Sequence, residues 1–413
     1  MFRRFLIYSM EMIDVLFDAQ FGIELESLRV TEDAFIAKSE HPFINSHISK
    51  DFGECQMEFI TDVYDSIEKV YDALSDIFMY ARKELKNKNP KEYIWPLSVP
   101  PHIKGKDIPE AKFNFDEKYR QEYRRYLAGK YDIKKLLFSG VHFNFSFAEN
   151  NLQAFYDGTT EYKDYKNKRY LRLAREAVNY AWLIVLLTGA SPVYDISLTD
   201  DNSMDETVYS EYASIRCSKE GYWNYFDPVL DYSDLQKHVE SVKKYIDMGL
   251  IISESELYYP VRVKNKGGYS LDNLLKYGVD YIEFRLMDIN PLSPFGIMPQ
   301  DIKFLHMLFI YLDMKAKDEE WSAESQIRAL SKIKQSAGYD NSEFMSEAGY
   351  ILSDMKDYFS ENGADDSYME ALDFQIEKIY DENRLYSRII KNAVNDNISV
   401  YGIELAKFYS LLE

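Results

Sequence analysis

The chain has 413 residues, 46% of them hydrophobic and 15% aromatic, so it carries enough apolar surface to bury a sizeable core and is no disordered polymer. A formal net charge of -20 argues against a nucleic-acid backbone or an anionic membrane surface as its main partner. Its two cysteines, Cys55 and Cys217, leave no room for a disulfide framework or a thiolate metal cluster, which points to a reducing, cytoplasmic compartment.

In chain order, residues 1–20 place Phe5, Met12, Leu16 and Phe17 at helical spacing. Met1 to Ile7 imitates the start of an export signal, but Glu11, Asp14 and Asp18 arrive before an apolar core forms, so no such signal is expected. Gly22 to Val30 reads as a strand, with Glu24 and Glu26 on one face and Ile23 and Leu25 on the other. Glu54 to Ile60 alternates in the same way, with Cys55, Met57 and Phe59 on the apolar side and Glu54 and Glu58 opposite. Ser66 to Lys86 repeats apolar residues at three- and four-residue steps, the mark of an amphipathic helix.

Pro90 to Pro109 is a proline-aromatic loop, and Glu117 to Lys130 is expected to be helical. Ser139 to Phe147 gives a third alternating strand, with Val141, Phe143, Phe145 and Phe147 on one face and His142, Asn144 and Ser146 on the other. Arg169 to Thr188 reads as a buried helix stopped by Gly189 and Pro192, and its longest apolar run, Ala181 to Leu187, is far below the ~20 residues that span a bilayer. Leu235 to Met248 is helical. Asp280 to Leu286 is a fourth strand, with Ile282, Phe284 and Leu286 inward and Tyr281, Glu283 and Arg285 outward. From Pro299 the pattern turns helical, starting with the stripe Ile302, Leu305, Leu308, Phe309 and Leu312, in segments separated by Gly338, Gly349 and Gly363.

A charged side facing water is the ordinary reading of any one such strand. When several strands agree, their carboxylates crowd one concave face of a shared sheet, and oxygen-rich sites suit hard cations such as Mg²⁺ or Mn²⁺. No second histidine stands at zinc spacing from His142, and the sequence has no phosphate-cradling glycine loop and no nucleophile elbow. A bound nucleotide would therefore depend on metal ions and arginines to hold its phosphates.

Ordered blocks along the chain resemble the bacterial type of glutamate-cysteine ligase (γ-glutamylcysteine synthetase). They are Gly22-Ile23-Glu24-x-Glu26-Ser27-Leu28-Arg29-Val30, Asp51-Phe52-Gly53-Glu54-x-x-x-Glu58-Phe59-Ile60-Thr61, Trp95-Pro96-Leu97-Ser98-x-Pro100-Pro101, Tyr123-Arg124, and Ser139-Gly140-Val141-His142-Phe143-Asn144-Phe145. Ser214-Ile215-Arg216 to Gly221-Tyr222, Leu257-Tyr258-x-Pro260-Val261-Arg262, and Tyr281-Ile282-Glu283-x-Arg285 to Asn290-Pro291 continue the series.

The resemblance implies an α+β fold of the glutamine-synthetase-like kind: a curved antiparallel sheet forming a concave active site, flanked by helices. It implies one catalytic domain over 1–413, with 299–413 a mainly helical part. It further implies ATP-dependent joining of the γ-carboxylate of L-glutamate to the amine of L-cysteine through γ-glutamyl phosphate, the first step of glutathione synthesis. Glu24, Glu26, Asp51, Glu58, His142 and Glu283 would ligate Mg²⁺ (or Mn²⁺), with Glu24, Glu283 and Arg285 central to catalysis and Arg285 on the ATP phosphates. Arg216 would hold the glutamate carboxylate. Phe52, Tyr123, Tyr222 and Tyr258 would line the cysteine pocket, with Arg124 and Arg262 as further anion-binding residues.

The expected partners are small molecules, with no nucleic acid and no membrane, on a monomer or small homo-oligomer. The chain departs from the family pattern at Leu25, Lys50, Tyr126 and Leu136, the last bearing on the amine-acceptor pocket. No fused glutathione synthetase activity is expected. The alternatives are a related ligase joining glutamate to another amine, and a non-catalytic nucleotide- or metal-binding relative.

Overall fold

A computed structural model describes residues 10–104, 107–113, 117–199, 206–268, 270–317 and 321–412. Phe5 lies outside them. The strands are β1 (Ala19–Thr31), β2 (Ile48–Lys50), β3 (Gln56–Ile60), β4 (Glu92–Ile94), β5 (Gly140–Phe147), β6 (Val193–Asp195), β7 (Thr207–Tyr209), β8 (Val261–Lys264) and β9 (Tyr281–Asp288). They form an antiparallel sheet in the order β2-β3-β1-β5-β9-β8, with β4 pairing the far end of β1, and a separate β6-β7 ribbon.

The helices of the first half are α1 (Met10–Phe17), α2 (Ile67–Lys86), α3 (Lys118–Lys130), α4 (Glu149–Ala154) and α5 (Tyr162–Thr188). Those of the second half are α6 (Leu235–Asp247), α7 (Leu271–Tyr277), α8 (Pro299–Lys315), α9 (Ala323–Ser336), α10 (Ser342–Glu361), α11 (Asp366–Tyr380), α12 (Tyr386–Ala393) and α13 (Ile398–Tyr409). Among the described residues no helix is long and apolar enough to cross a membrane.

Alternation along the strands sorts the sheet into two faces. Ile23, Leu25, Met57, Phe59, Phe143, Phe145, Ile282 and Phe284 are completely buried on one of them. The core helices cover this face: Phe309 of α8 lies 5.4 Å from the Phe145 ring and 6.1 Å from Phe284, and Phe78 of α2 stacks on Phe59 at 4.3 Å. Each such ring contributes roughly 1.5–3 kcal/mol by leaving water, so this layer anchors the strands from behind. Ser66 caps α2 by accepting the Lys69 N–H, which starts the helix where the sequence pattern places it.

Several local expectations need correction. The helix read from Arg169 begins earlier, at Tyr162, because the tyrosine-rich turn before it also packs on the core. Gly349 separates nothing and sits inside α10. The β3 ladder starts only at Gln56, so Glu54 does not share the acidic face; its carboxylate instead accepts the His41 and Lys112 backbone N–H groups at 2.7 Å each. On β9, Val141 pairs Met287 while Phe143 pairs Phe284, three steps against two, which is a bulge. Beyond it the faces exchange: Met287 turns inward, and Leu286 joins Arg285 on the open side.

Candidate active site

The sheet register assembles the acidic face. Glu26 stands directly opposite Glu58, Glu24 opposite His142, and Glu283 opposite Asn144 on one side and Arg262 on the other. Glu24, Glu26, Glu58, His142, Arg262 and Glu283 line a pocket of about 310 Å³ together with Asp51, Phe52, Tyr123, Arg124, Arg216, Tyr222, Tyr258 and Arg285. Every site residue read from the sequence thus reaches one cavity. The Trp95 loop does not line it: Trp95 is fully buried, its rings lie against Gly402, and Ser98 ties the loop to Ser139 and Ile289. The stretch from Trp95 to Ser98 is structural packing.

His142 sits at the centre, with Nδ1 3.5 Å from Glu24 and 4.0 Å from Glu283, and Nε2 3.7 Å from Glu26. Burial, reinforced by the Arg285 charge, lowers the imidazole to about 4, which keeps it neutral and its ring nitrogens able to bind a cation. Glu24, His142 and Glu283 each offer a donor atom within 4.8 Å of the others, the one such group among the described residues. Two carboxylates and a neutral imidazole fit a divalent cation.

The carboxylates divide electrostatically. Burial pushes up Glu283, but Arg285, Lys264, His142 and Arg262 outweigh it and hold the group well below the usual range. Glu24 faces the same burial and the Glu283 charge, yet His142 and Lys264 keep it lowered. Glu26 and Glu58 behave oppositely. Burial first, then Asp51 for Glu26 and Glu24 for Glu58, raise both to about 8. Asp51 is raised by burial as well. Without a cation this half of the array is under-compensated.

Arginines frame the cavity from fixed positions. Arg285 donates to Glu283 at 2.9 Å. Arg216 donates to the Met287 and Arg285 carbonyls at 3.2 and 3.1 Å. Two glycines make room for it: a Cβ on Gly140 would stand 2.1 Å from the Arg216 guanidinium, and one on Gly221 would stand 1.9 Å from the Arg216 carbonyl oxygen. Arg262 donates to the Ser255 and Leu257 carbonyls at 2.8 and 2.7 Å, and Arg124 to the carbonyls of Lys50, at 3.1 Å, and Asp51.

At the other end Tyr222 and Tyr258 lie 4.1 Å apart, with Tyr131 edge-on to both. Behind them buried Glu256 accepts from Tyr131 at 2.9 Å and from Lys130 at 2.5 Å, which stiffens the aromatic wall.

Comparison with known proteins then bears on this geometry. The family model described as glutamate-cysteine ligase matches residues 6–251 and 227–336. The chain belongs to the glutamate-cysteine ligase family. A glutamate–cysteine ligase of Clostridium acetobutylicum is 30% identical over 95% of this chain and 96% of its own length. The glutathione biosynthesis bifunctional protein GshAB of Listeria welshimeri is 33% identical over 96% of this chain but 54% of its own. A crystal structure of a bifunctional glutathione synthetase from Pasteurella multocida superposes with a TM-score of 0.85 at 26% identity, covering 96% of this chain and 53% of that one. The chain therefore spans about half the length of the bifunctional relatives it matches.

Sequence reasoning missed Lys264, which also lines this pocket. Its ammonium lies 2.6 Å from Glu283 Oε1 and 3.9 Å from Glu24 Oε1. A period-two step from Arg262 along β8 would have found it. Leu286, delivered by the bulge, was missed too.

Proposed function

We propose that this protein is an ATP-dependent ligase that joins the γ-carboxylate of L-glutamate to the amine of L-cysteine, releasing ADP and phosphate, with the whole described chain acting as one catalytic unit. The observation that carries the reading is the convergence of Glu24, Glu26, Asp51, Glu58, His142 and Glu283 on one pocket in a chain of this family. These side chains would hold Mg²⁺ or Mn²⁺, which when bound supplies charge neutralisation for the phosphoryl oxygens and alignment of donor with acceptor.

The chain's own groups account for the rest. Arg285, fixed against Glu283, offers its remaining N–H donors to the transferring phosphoryl group. Arg216, given room by Gly140 and Gly221 and tied to the Met287 and Arg285 carbonyls, presents a guanidinium to the glutamate carboxylate. One oxygen of the γ-carboxylate attacks the terminal phosphorus of ATP as its bond to the ADP oxygen breaks; the amine then attacks the acyl carbon, the bond to phosphate breaks, and the departing phosphate takes up the proton the nitrogen sheds. Tyr222, Tyr258, Tyr123 and Phe52 form an aromatic wall that seats the acceptor amino acid and limits water near the acyl phosphate.

A second reading, ligation of glutamate to a different amine, is favoured by one observation: Leu136 lines the same pocket beside Leu127 and Phe138, giving the acceptor side chain an apolar rather than polar neighbour. ADP release with glutamate and Mg²⁺, measured over a panel of amino acids with mass spectrometry of the product, tests both. Cysteine should give the fastest release and a γ-glutamylcysteine mass. Faster release with another amine moves the assignment to the second reading, and no release with any amine removes the ligase reading.

A further inference from the structure

Lys264 stands where the candidate metal ligands need a positive charge. Its Nζ lies 2.6 Å from Glu283 and 3.9 Å from Glu24, the two carboxylates that with His142 form the metal-competent group. A divalent ion bound by these oxygens sits about 2.0–2.1 Å from each when it is Mg²⁺. An ammonium 2.6 Å from Glu283 Oε1, the oxygen that also faces His142 Nδ1 at 4.0 Å, competes with such an ion for that oxygen.

The neighbouring arginines are fixed by partners of their own. Arg262 is pinned by the carbonyls of Ser255 and Leu257, and its nearer approach to Glu283 is 4.0 Å. Arg285 is the direct partner of the other Glu283 oxygen. Lys264 has a flexible four-carbon stem at the end of β8, and it lines the open pocket. Rotation about the bonds of that stem carries its ammonium from the carboxylates toward the pocket.

We infer that Lys264 is an internal counter-cation that holds the space between Glu24 and Glu283 until a divalent ion displaces it into the pocket, where its ammonium meets the anionic oxygens of the incoming ligand. The inference rests on the metal-dependent reading above. It gives that site a regulated property: metal entry and binding of a polyanionic ligand favour each other, because the first frees the charge that the second uses. A lone metal ion must compete with a tethered cation at high local concentration.

The test is Mn²⁺ binding to the nucleotide-free protein, followed by paramagnetic resonance of the free ion and by calorimetry. Lys264→Met should bind Mn²⁺ at least about tenfold more tightly than the parent, since removing a unit charge within 4 Å of the ligands relieves a repulsion worth more than one decade. Lys264→Arg should stay near the parent affinity, which separates charge from packing. Should the Met variant fold poorly without metal, Lys264→Gln removes the same charge with a polar side chain and must also tighten binding. Equal or weaker binding in the neutral variants, with the parent binding Mn²⁺ normally, overturns the role of Lys264 alone. No Mn²⁺ binding by parent or variants overturns the metal reading and this inference with it.

Discussion

The two faces of the central sheet are made by the same strands and have opposite completeness. Behind it, Phe21, Phe143, Phe145 and Phe284 meet α8, and even the histidine there, His306, is enclosed by the rings of Phe17, Phe21, Phe145 and Tyr368, with Nδ1 hydrogen-bonded to the Tyr368 hydroxyl at 2.8 Å. In front, His142 is surrounded by carboxylates, and the half of the array containing Glu26, Asp51 and Glu58 has too few cations to offset their burial. One face is finished by folding alone. The other keeps an electrostatic deficit. Substitutions in front should therefore change chemistry more than folding, and substitutions behind the reverse.

The strongest way to break this contrast is to neutralise the compensated end of the acidic face. Glu24→Gln or Glu283→Gln should lower turnover by about a thousandfold or more, since a ligated metal supplies several kcal/mol of transition-state stabilisation. Far-UV circular dichroism should remain that of the parent. Near-normal turnover in either variant would remove these residues from the metal site.

A smaller effect is expected from Gly140→Ala. The added methyl must displace the Arg216 guanidinium, because the ideal Cβ position lies 2.1 Å from it. A shift of about 1 Å in a positioning group can cost on the order of a hundredfold, and the loss should appear mainly as a raised KM for glutamate. An unchanged KM would show that Arg216 does not hold that substrate.

What the sequence disclosed follows the same division. Strands β1, β3, β5 and β9 were legible because each has one apolar and one polar face, which produces a two-residue period. Strands β2, β4, β6 and β7 are three residues long, and Val261 to Val263 of β8 is buried on both sides, so no period develops. Lys264 was lost along with its strand. The β9 bulge could not be read because it exists only in the pairing with β5, and Glu54 was misplaced because the start of the β3 ladder is set by its neighbours. The Trp95 loop showed its composition but not its partner, Gly402, which lies more than three hundred residues on. The glutamate, histidine and arginine positions came through because the family blocks preserve them in order.

The histidine behind the sheet gives a pH prediction. Burial lowers His306 to about 3, against 6.5 for an exposed histidine. Between those values the unfolded chain binds a proton that the folded one excludes, so stability rises with pH and is lost as pH falls from 6.5 toward 3. At about 1.4 kcal/mol per unit, the loss between pH 7 and pH 4.5 should be roughly 2–3 kcal/mol larger for the parent than for His306→Gln. Urea midpoints at the two pH values measure it, and parallel losses would show that His306 is not held neutral.

The finest test of the contrast is Glu58→Gln. In the metal-free protein Glu58 is buried beside Glu24, Asp51 and Glu26, its carboxyl is raised to about 8, and Ser49 donates to it at 3.0 Å. An amide of the same shape removes a buried group with an unfavourable ionised form, so this variant should be more stable than the parent without metal, by about 1 kcal/mol. Glu283→Gln should move the other way, because Lys264, Arg285 and Arg262 then lose a shared partner. Added Mg²⁺ should stabilise the parent more than either variant, since each lacks a proposed ligand. If Glu58→Gln lowers the metal-free unfolding midpoint as Glu283→Gln does, the two ends of the array are compensated alike, and the deficit assigned to the Glu26, Asp51 and Glu58 end does not exist.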